Sequence, residues 1–190
     1  WTSAGEAAAI AEFAKLGKDF EDRDTVVLAR LQEGAWPDLR LHLIGALQTN
    51  KARGVARFAS EFQALDSLRL ARELDKRLHA QGRQLDVLVE VNSSDEPQKS
   101  GVTPSEAVDF ARQLSAFDAL RVKGLMTVAL HSDDESQVAA CFQRMRVVQE
   151  QLRNEASEVS SWNDLSMGMS GDFEIAIAHG ATTVRVGQAI

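Results

Sequence analysis

The sequence contains no tyrosine, only three prolines and a single cysteine, Cys141, among its 190 residues. One thiol excludes an internal disulfide, and it predicts a reducing, cytoplasmic location. No apolar run reaches the ~18 residues that a membrane-spanning helix needs, so no membrane partner is expected. No signal-peptide pattern is visible either.

Positive charge is also scarce. The chain has 21 Lys and Arg against 28 Asp and Glu, so its formal net charge is −7. This balance argues against a nucleic-acid partner held by phosphate neutralisation, and against anionic membrane surfaces. An anionic ligand would have to be held by local donors against the field of the whole protein. Hydrophobic content of 44% and charged content of 26% are ordinary for a globular domain.

Several motifs of chemical function are missing. The four histidines, His42, His79, His131 and His179, are scattered without the spacing of metal ligands, so no metal is expected. No Gly-x-Ser-x-Gly elbow is present, and no Gly-x-Gly-x-x-Gly turn opens an early helix. The sequence therefore predicts neither a serine hydrolase of that type nor a dinucleotide-binding turn.

Predicted strands and helices alternate along the whole chain. Strands are predicted at residues 18–21, 39–47, 62–66, 85–92, 120–130, 165–169 and 182–186. Helices are predicted at residues 6–16, 25–32, 51–58, 67–82, 103–116, 132–156 and 173–179. This order indicates βαβ units around a parallel sheet, and seven strands are one fewer than a closed barrel needs. We expect residues 1–190 to form a single α/β domain, a TIM-type (β/α)8 barrel that lacks its first strand. The alternative is an open, doubly wound sheet.

The last 28 residues predict an anion site. A strand ends in a loop that contains Ser166, Gly168, Ser170 and Gly171, and the final strand is followed by Gly187. Hydroxyls and exposed backbone N–H groups accept a phosphate where no Cβ blocks its approach. The loops after strands seven and eight often form the phosphate site of a barrel. The alternative is that these glycines only make tight turns.

Other polar residues follow the carboxyl ends of the predicted strands. These are Asn50, Asn92, Met126 with Thr127, and Arg185, which interrupts an otherwise apolar strand. The strand ends of a barrel converge on one mouth, so these side chains are candidates for a shared site. A salt bridge at the rim is the structural alternative for Arg185.

Five segments together resemble the YggS/PROSC family of pyridoxal phosphate homeostasis proteins, which is related to the N-terminal barrel of alanine racemase. They are residues 42–51 (His-Leu-Ile-Gly-Ala-Leu-Gln-Thr-Asn-Lys), residues 91–101, Gly124-Leu-Met126, residues 165–172 (Leu-Ser-Met-Gly-Met-Ser-Gly-Asp), and Val184-Arg-Val-Gly187. The resemblance covers nearly the whole chain.

The resemblance implies a barrel that holds pyridoxal 5′-phosphate (PLP). Ser166, Gly187 and the N–H of Gln188 would bind the phosphate, and Arg185 would face the pyridine nitrogen. Asn92 and Met126 would line the ring, and Met167 and Asn50 complete the predicted cofactor-binding set. An arginine at the nitrogen keeps the ring unprotonated and therefore a poor electron sink. The implied role is PLP homeostasis by reversible binding, without turnover and without catalytic residues.

Two departures from the family pattern matter. The Schiff-base lysine of the family is expected upstream of Trp1, and the tail is expected to stop early. The segment Phe20-Glu-Asp-Arg23 stands where the family has Phe-Gly-Glu-Asn. Lys51, Lys99 and Lys123 are poor substitutes for the lysine because their strand positions differ.

Two other functions remain open at this point. A racemase-like PLP enzyme needs a second acid or base on the opposite ring face, and the chain has no tyrosine to supply it. A degenerate phosphate-binding barrel could serve as an interaction protein. For a homeostasis protein, PLP-dependent apoenzymes are possible partners, and a monomer or weak dimer is expected.

Overall fold

The computed structural model describes residues 40–187. The strands are β1 (His42–Leu43), β2 (Glu61–Leu65), β3 (Leu85–Glu90), β4 (Leu120–Met126), β5 (Asp164–Met169) and β6 (Thr183–Arg185). The helices are α1 (Ala52–Phe58), α2 (Leu68–His79), α3 (Ala107–Leu114), α4 (Glu135–Glu155) and α5 (Phe173–Ala178), and one-turn 3-10 helices precede α1 and α3. The predicted helices at 6–16 and 25–32, the strand at 18–21 and Gln188 lie outside the described residues.

The six strands form one sheet in the order β1-β2-β3-β4-β5-β6, and every neighbouring pair is parallel. Each strand is joined to the next by a helix. A doubly wound sheet would reverse its strand order at a switch point, and no reversal occurs between β1 and β6. The described residues therefore form part of a (β/α)8-type barrel, as the sequence predicts.

Helix α2 shows why these segments become helices that cover the sheet. The Ser67 hydroxyl accepts a hydrogen bond from the backbone N–H of Leu70 at 3.4 Å and caps the first turn. Leu70, Leu74 and Leu78 recur at every fourth position and are buried. Burial of each leucine contributes roughly 2 kcal/mol from removal of apolar surface from water.

A capping box precedes α3. The Thr103 backbone N–H donates to the Glu106 carboxylate at 3.3 Å, and the Thr103 side chain caps in return. Between this box and β3 the chain makes a loop in which Val91 and Val102 form an isolated parallel bridge.

Two predicted boundaries are wrong. The strand predicted at 39–47 is only His42–Leu43, because the chain turns at Gly45, whose φ of +96° suits glycine alone. The segment 120–130 holds a strand as predicted, and that strand ends at Met126. Helix α4 is capped by Asp134, whose carboxylate accepts from the Ser136 N–H at 2.9 Å, and not by Ser132.

Close packing of β4 on β5 depends on Gly124. A Cβ at this position would lie 1.9 Å from the carbonyl oxygen of Asp164. Glycine therefore sets the approach of the two strands that carry Met126 and Ser166, which are partners in register.

No helix within residues 40–187 is both long enough and apolar enough to cross a membrane.

Candidate functional site at the barrel mouth

A cleft of about 1220 Å³ opens at the carboxyl ends of the described strands. Its walls come from the loop after β5, the loop after β6, the segment after β4, and inward-facing residues of β1 and β2. Met169, Ser170, Gly171 and Asp172 line one side, and Arg185, Val186 and Gly187 line the neighbouring side. The two Ser/Gly strand ends that the sequence singled out therefore share one cavity.

Arg185 and Ser166 meet behind the wall of this cleft. The Nη1 of Arg185 donates to the Ser166 Oγ at 2.7 Å, and that hydroxyl donates to the Oε1 of Gln63 at 2.7 Å. Ser166 is 0% exposed and Gln63 is 2% exposed. The hydroxyl is used both as acceptor and as donor, so it ties β6 to β2 across the barrel interior.

The same chain of hydrogen bonds continues to a carboxylate. The Nε2 of Gln63 donates to the Oε1 of Glu61 at 2.6 Å, and the same oxygen lies 3.0 Å from the Nδ1 of His42. A cation at one end and a carboxylate at the other polarise every bond between them in the same direction. His42, which alternates with leucines in the sequence, thus sits at the carboxylate end of the network.

The second half of the guanidinium is fixed by the strand next to β5. The Nη2 of Arg185 donates to the carbonyl oxygen of Thr127 at 2.7 Å. The Thr127 hydroxyl is itself buried, donates to the carbonyl of Val91 at 2.7 Å and lies 2.9 Å from the hydroxyl of Ser93. Arg185 is thus held by two bonds in a defined plane, and its other N–H groups have no hydrogen-bond partner among the described residues.

The loop after β5 is held in place against the loop after β6. The backbone N–H of Met169 donates to the Asp172 carboxylate at 2.5 Å, and the N–H of Gly187 donates to the Ser170 hydroxyl at 3.3 Å. Ser170 and Gly187 both line the cleft, whereas Ser166 lies behind it. Ser170 is among the residues that line the cleft, and Ser166 is not.

Two carboxylates set the electrostatics of Arg185. Burial lowers the pKa of the guanidinium, and the charges of Asp172 and Glu90 raise it. Glu90 ends β3, is 8% exposed, and its Oε2 has no hydrogen-bond partner among the described residues. Burial raises the pKa of Glu90 from 4.5 to about 7; the charge of Asp66 adds to this rise and that of Arg185 opposes it.

The predicted site residues fall into two groups. Arg185 and Gly187 line the cleft, and Ser166 contacts Arg185 from behind. Asn92, Met126, Met167 and Asn50 are not among the residues that line it.

Each residue of the second group has another place in the fold. Met126 and Met167 are fully buried, and Met167 alternates with Ser166 on β5, so the two side chains point to opposite faces. Asn92 shapes its own loop, because its Nδ2 donates to the carbonyl of Glu96 at 2.8 Å. Asn50 is exposed in the 3-10 turn before α1. The roles of these four residues stay predictions.

None of the lysines within residues 40–187 is among the residues that line the cleft. Lys99 pairs with Glu96 and donates to the carbonyl of Ala129 at 3.0 Å, and Lys51 and Lys123 are exposed. Lys99 thus approaches the rim through Ala129, which does line the cleft.

Sequence patterns pointed to Arg185 but not to Gln63 or Glu90, which share its environment. Both lie at buried positions of otherwise apolar strands, Glu-Phe-Gln-Ala-Leu and Leu-Asp-Val-Leu-Val-Glu. A polar residue at a buried strand position needs a hydrogen-bond or charge partner. The apolar residues around Gln63 and Glu90 in the sequence were therefore a signal that could have identified both.

These features define a parallel (β/α)8-type barrel with a cleft at its mouth, which is lined in part by a half-buried arginine. The family model described as "Alanine racemase, N-terminal domain" matches residues 7–190. A curated protein called pyridoxal phosphate homeostasis protein from Escherichia coli K12 is 33% identical over 176 residues, which are 93% of this chain and 74% of that protein. The chain belongs to the alanine racemase N-terminal domain family and, within it, to the group of pyridoxal phosphate homeostasis proteins.

Other relatives show how much of a whole protein this chain covers. The pyridoxal phosphate homeostasis protein of Helicobacter pylori J99 is 40% identical over 151 residues, 78% of this chain. The match spans 65% of the length of that relative.

Solved structures confirm the fold. PipY of Synechococcus elongatus, solved with PLP bound, superposes with a TM-score of 0.78 at 30% identity, covering 95% of this chain and 85% of that one. An alanine racemase of Clostridium difficile reaches a TM-score of 0.69 at 15% identity, covering 86% of this chain and 42% of that one. The second likeness concerns the fold alone.

Proposed function

We propose that this protein binds pyridoxal 5′-phosphate reversibly in the cleft at the barrel mouth and acts in PLP homeostasis. The observation that carries the proposal is the meeting of Ser170, Gly187 and Arg185 in one cavity. Relatives named for PLP homeostasis and the PLP-bound PipY support it.

The residues present fit the chemistry of this cofactor. Ser170 offers a hydroxyl to a phosphate, and Gly187 offers open space, since a Cβ there would meet no described atom within 4 Å. Arg185 offers N–H donors to a ring nitrogen that accepts a hydrogen bond. Val186, Met169 and Ile175 provide apolar wall for the ring.

When bound, PLP supplies an aldehyde that condenses with amines and a pyridine ring that can withdraw electrons. The guanidinium of Arg185 stays charged and donates to the ring nitrogen, so the nitrogen gains no proton from it. A ring without that proton withdraws electrons poorly. The protein's own residues therefore orient and hold the ligand, which supports a carrier role without turnover.

A titration with PLP tests the proposal, with inorganic phosphate as competitor. We expect saturable binding of PLP, measured by equilibrium dialysis, and displacement by phosphate only at much higher concentration. Equal affinity for PLP and phosphate would instead favour a degenerate phosphate-binding barrel, and absence of PLP binding would refute the proposal.

Two glycine variants form a matched pair. Gly187→Ala places a methyl group where the phosphate is expected. Loss of the contact between the phosphate and the backbone at residue 187 should weaken PLP binding about tenfold, or by about 1.4 kcal/mol. Gly54→Ala, in α1 and away from the cleft, should leave the affinity unchanged. The open space at both positions means that neither variant should disturb folding.

The remaining expectations about the whole protein form part of the same proposal. A protein that releases PLP reversibly needs an acceptor for it, and PLP-dependent apoenzymes are the class of protein that takes up this cofactor. A single domain, a monomeric or weakly dimeric state and a cytoplasmic location complete it.

A further inference from the structure

A concentration of positive charge lies on the outside of α1 and α2. Between Lys51 and Arg83 the chain has eight Lys and Arg against four Asp and Glu, although its overall formal net charge is −7. Six of these cations are exposed: Lys51, Arg53, Arg57, Arg69, Arg72 and Lys76. We call these six residues the basic face.

The cations of the basic face have no partner among the described residues. Several cations elsewhere are in ion pairs, as Arg121 is with Asp86 at 2.6 Å, Arg144 with Asp95 at 2.9 Å and Arg112 with Glu155 at 3.8 Å. None of the six side chains of the basic face bonds to, or pairs with, any described residue. Lys123 is the one other lysine or arginine within residues 40–187 for which this holds.

The acidic residues close to this face are already engaged. Glu73 pairs with Arg77 at 2.6 Å, and Asp75 accepts from the backbone N–H of Ala119 at 3.1 Å. The carboxylates of α2 therefore form no ion pair with the cations of the basic face.

The spacing of the cations indicates the geometry of a partner. Arg69, Arg72 and Lys76 follow an i, i+3, i+7 pattern opposite the buried Leu70, Leu74 and Leu78. At 1.5 Å per residue they stand about 4.5 and about 6 Å apart along the axis. Carboxylates at the same intervals on a partner helix would face them one to one, and arginine binds carboxylates with two parallel bonds.

The location of the basic face places such a partner beside the cleft. Helices α1 and α2 contact each other, and each begins after the carboxyl end of its strand, which is the end of the barrel where the cleft opens. Arg53 and Arg69 lie in the first turns of the two helices and are therefore nearest the mouth.

We propose that the basic face is a docking surface for a second protein that presents a row of carboxylates on a helix. A protein is favoured over a nucleic acid because a long polyphosphate would also meet the net negative charge of the remaining surface. A short helix meets only the local face, since charges more than about 10 Å away are screened at 0.1 M salt. The proposal does not depend on PLP binding.

A pair of helical peptides tests this surface. One alanine-based peptide of about 20 residues carries glutamates at i, i+3 and i+7 along one face, and its isomer carries the same glutamates spread around the helix. We expect the full chain to bind the first peptide more tightly in fluorescence anisotropy. The binding should weaken as salt is raised.

Charge variants locate the binding. Arg69→Gln, Arg72→Gln and Lys76→Gln combined should weaken the binding of the first peptide about tenfold. The control combines Arg112→Gln, Arg121→Gln and Lys123→Gln, which remove the same charge from exposed positions elsewhere, and should leave the binding within about twofold. Circular dichroism verifies that both variants fold.

Four results would overturn the proposal. The first is that the two peptides bind equally well, and the second is that the two variants weaken binding equally. The third is that a DNA duplex or phosphatidylserine vesicles bind more tightly than the first peptide. The fourth is that the chain self-associates and that the first variant abolishes this self-association. The last would show that the acidic partner is a second copy of this chain. PLP affinity measured on the same variants should not change, so failure here leaves the cofactor proposal intact.

Discussion

Replacing Ser166 by alanine removes the atom that joins Arg185 to Gln63. The hydroxyl accepts from Nη1 of Arg185 and donates to Oε1 of Gln63, each at 2.7 Å, at a position with 0% exposure. Alanine leaves the buried Oε1 of Gln63 and the half-buried Nη1 of Arg185 without this partner.

The magnitude follows from those two groups. Each unsatisfied buried group costs about 1–3 kcal/mol, so we expect Ser166→Ala to lower the free energy of unfolding by about 3 kcal/mol. For a domain of this size that corresponds to a fall in melting temperature of about 6–12 °C. Urea unfolding followed by circular dichroism measures the first quantity, and a thermal melt measures the second.

A matched variant separates this effect from loss of a hydroxyl in general. Ser100 is exposed, so Ser100→Ala should change the free energy of unfolding by less than about 0.5 kcal/mol. In a double-mutant cycle with Gln63→Leu, the coupling energy between residues 63 and 166 should be about 1 kcal/mol. A loss below about 1 kcal/mol for Ser166→Ala, with no coupling to Gln63, would refute the network as an organising element of the mouth.

Two further predictions concern Glu90 and Gly124. Because burial raises the pKa of Glu90 from 4.5 to about 7, the folded state binds a proton that the unfolded state has released between these values. The stabilisation that proton binding to Glu90 gives the folded state is complete below pH 4.5 and is lost as the pH rises through about 7. The free energy of unfolding should fall by up to about 3 kcal/mol over this range, as measured by urea unfolding at several pH values. Glu90→Gln should remove this pH dependence. Gly124→Ala should destabilise the protein by several kcal/mol or prevent folding, because its Cβ would lie 1.9 Å from the Asp164 carbonyl oxygen. Gly54→Ala, in a helix with open space around it, should stabilise the protein by about 0.5–1 kcal/mol, and equal effects of the two changes in urea unfolding would contradict the packing described for β4 and β5.

The fold was predictable because its signals are local. The alternation of apolar strands with capped helices predicts parallel βαβ units, and the caps at Ser67 and Thr103 were readable from single side chains. Strand ends were less predictable. At Gly45 the apolar pattern continues while the backbone turns, so composition alone extends β1 too far.

The site was predictable in location and less so in detail. Small residues and an arginine on two consecutive strand ends indicated one mouth, and Arg185 and Gly187 do line one cleft. Which serine faces the cavity depends on strand twist and on a register shift between Ser166 and Met169, and neither is encoded in spacing. The contact between Ser166 and Gln63 joins residues far apart in the chain, so no local pattern reports it.

The two bonds that hold Arg185 to Thr127 and Ser166 bear on how quickly a ligand can come and go. Immobilising a long side chain at a binding surface normally costs about 0.5–1.5 kcal/mol on association. Here that entropy is already lost when the barrel folds, so a ligand that accepts a hydrogen bond would meet a preorganised donor. Neither arrival nor departure of such a ligand would have to wait for this side chain to rearrange.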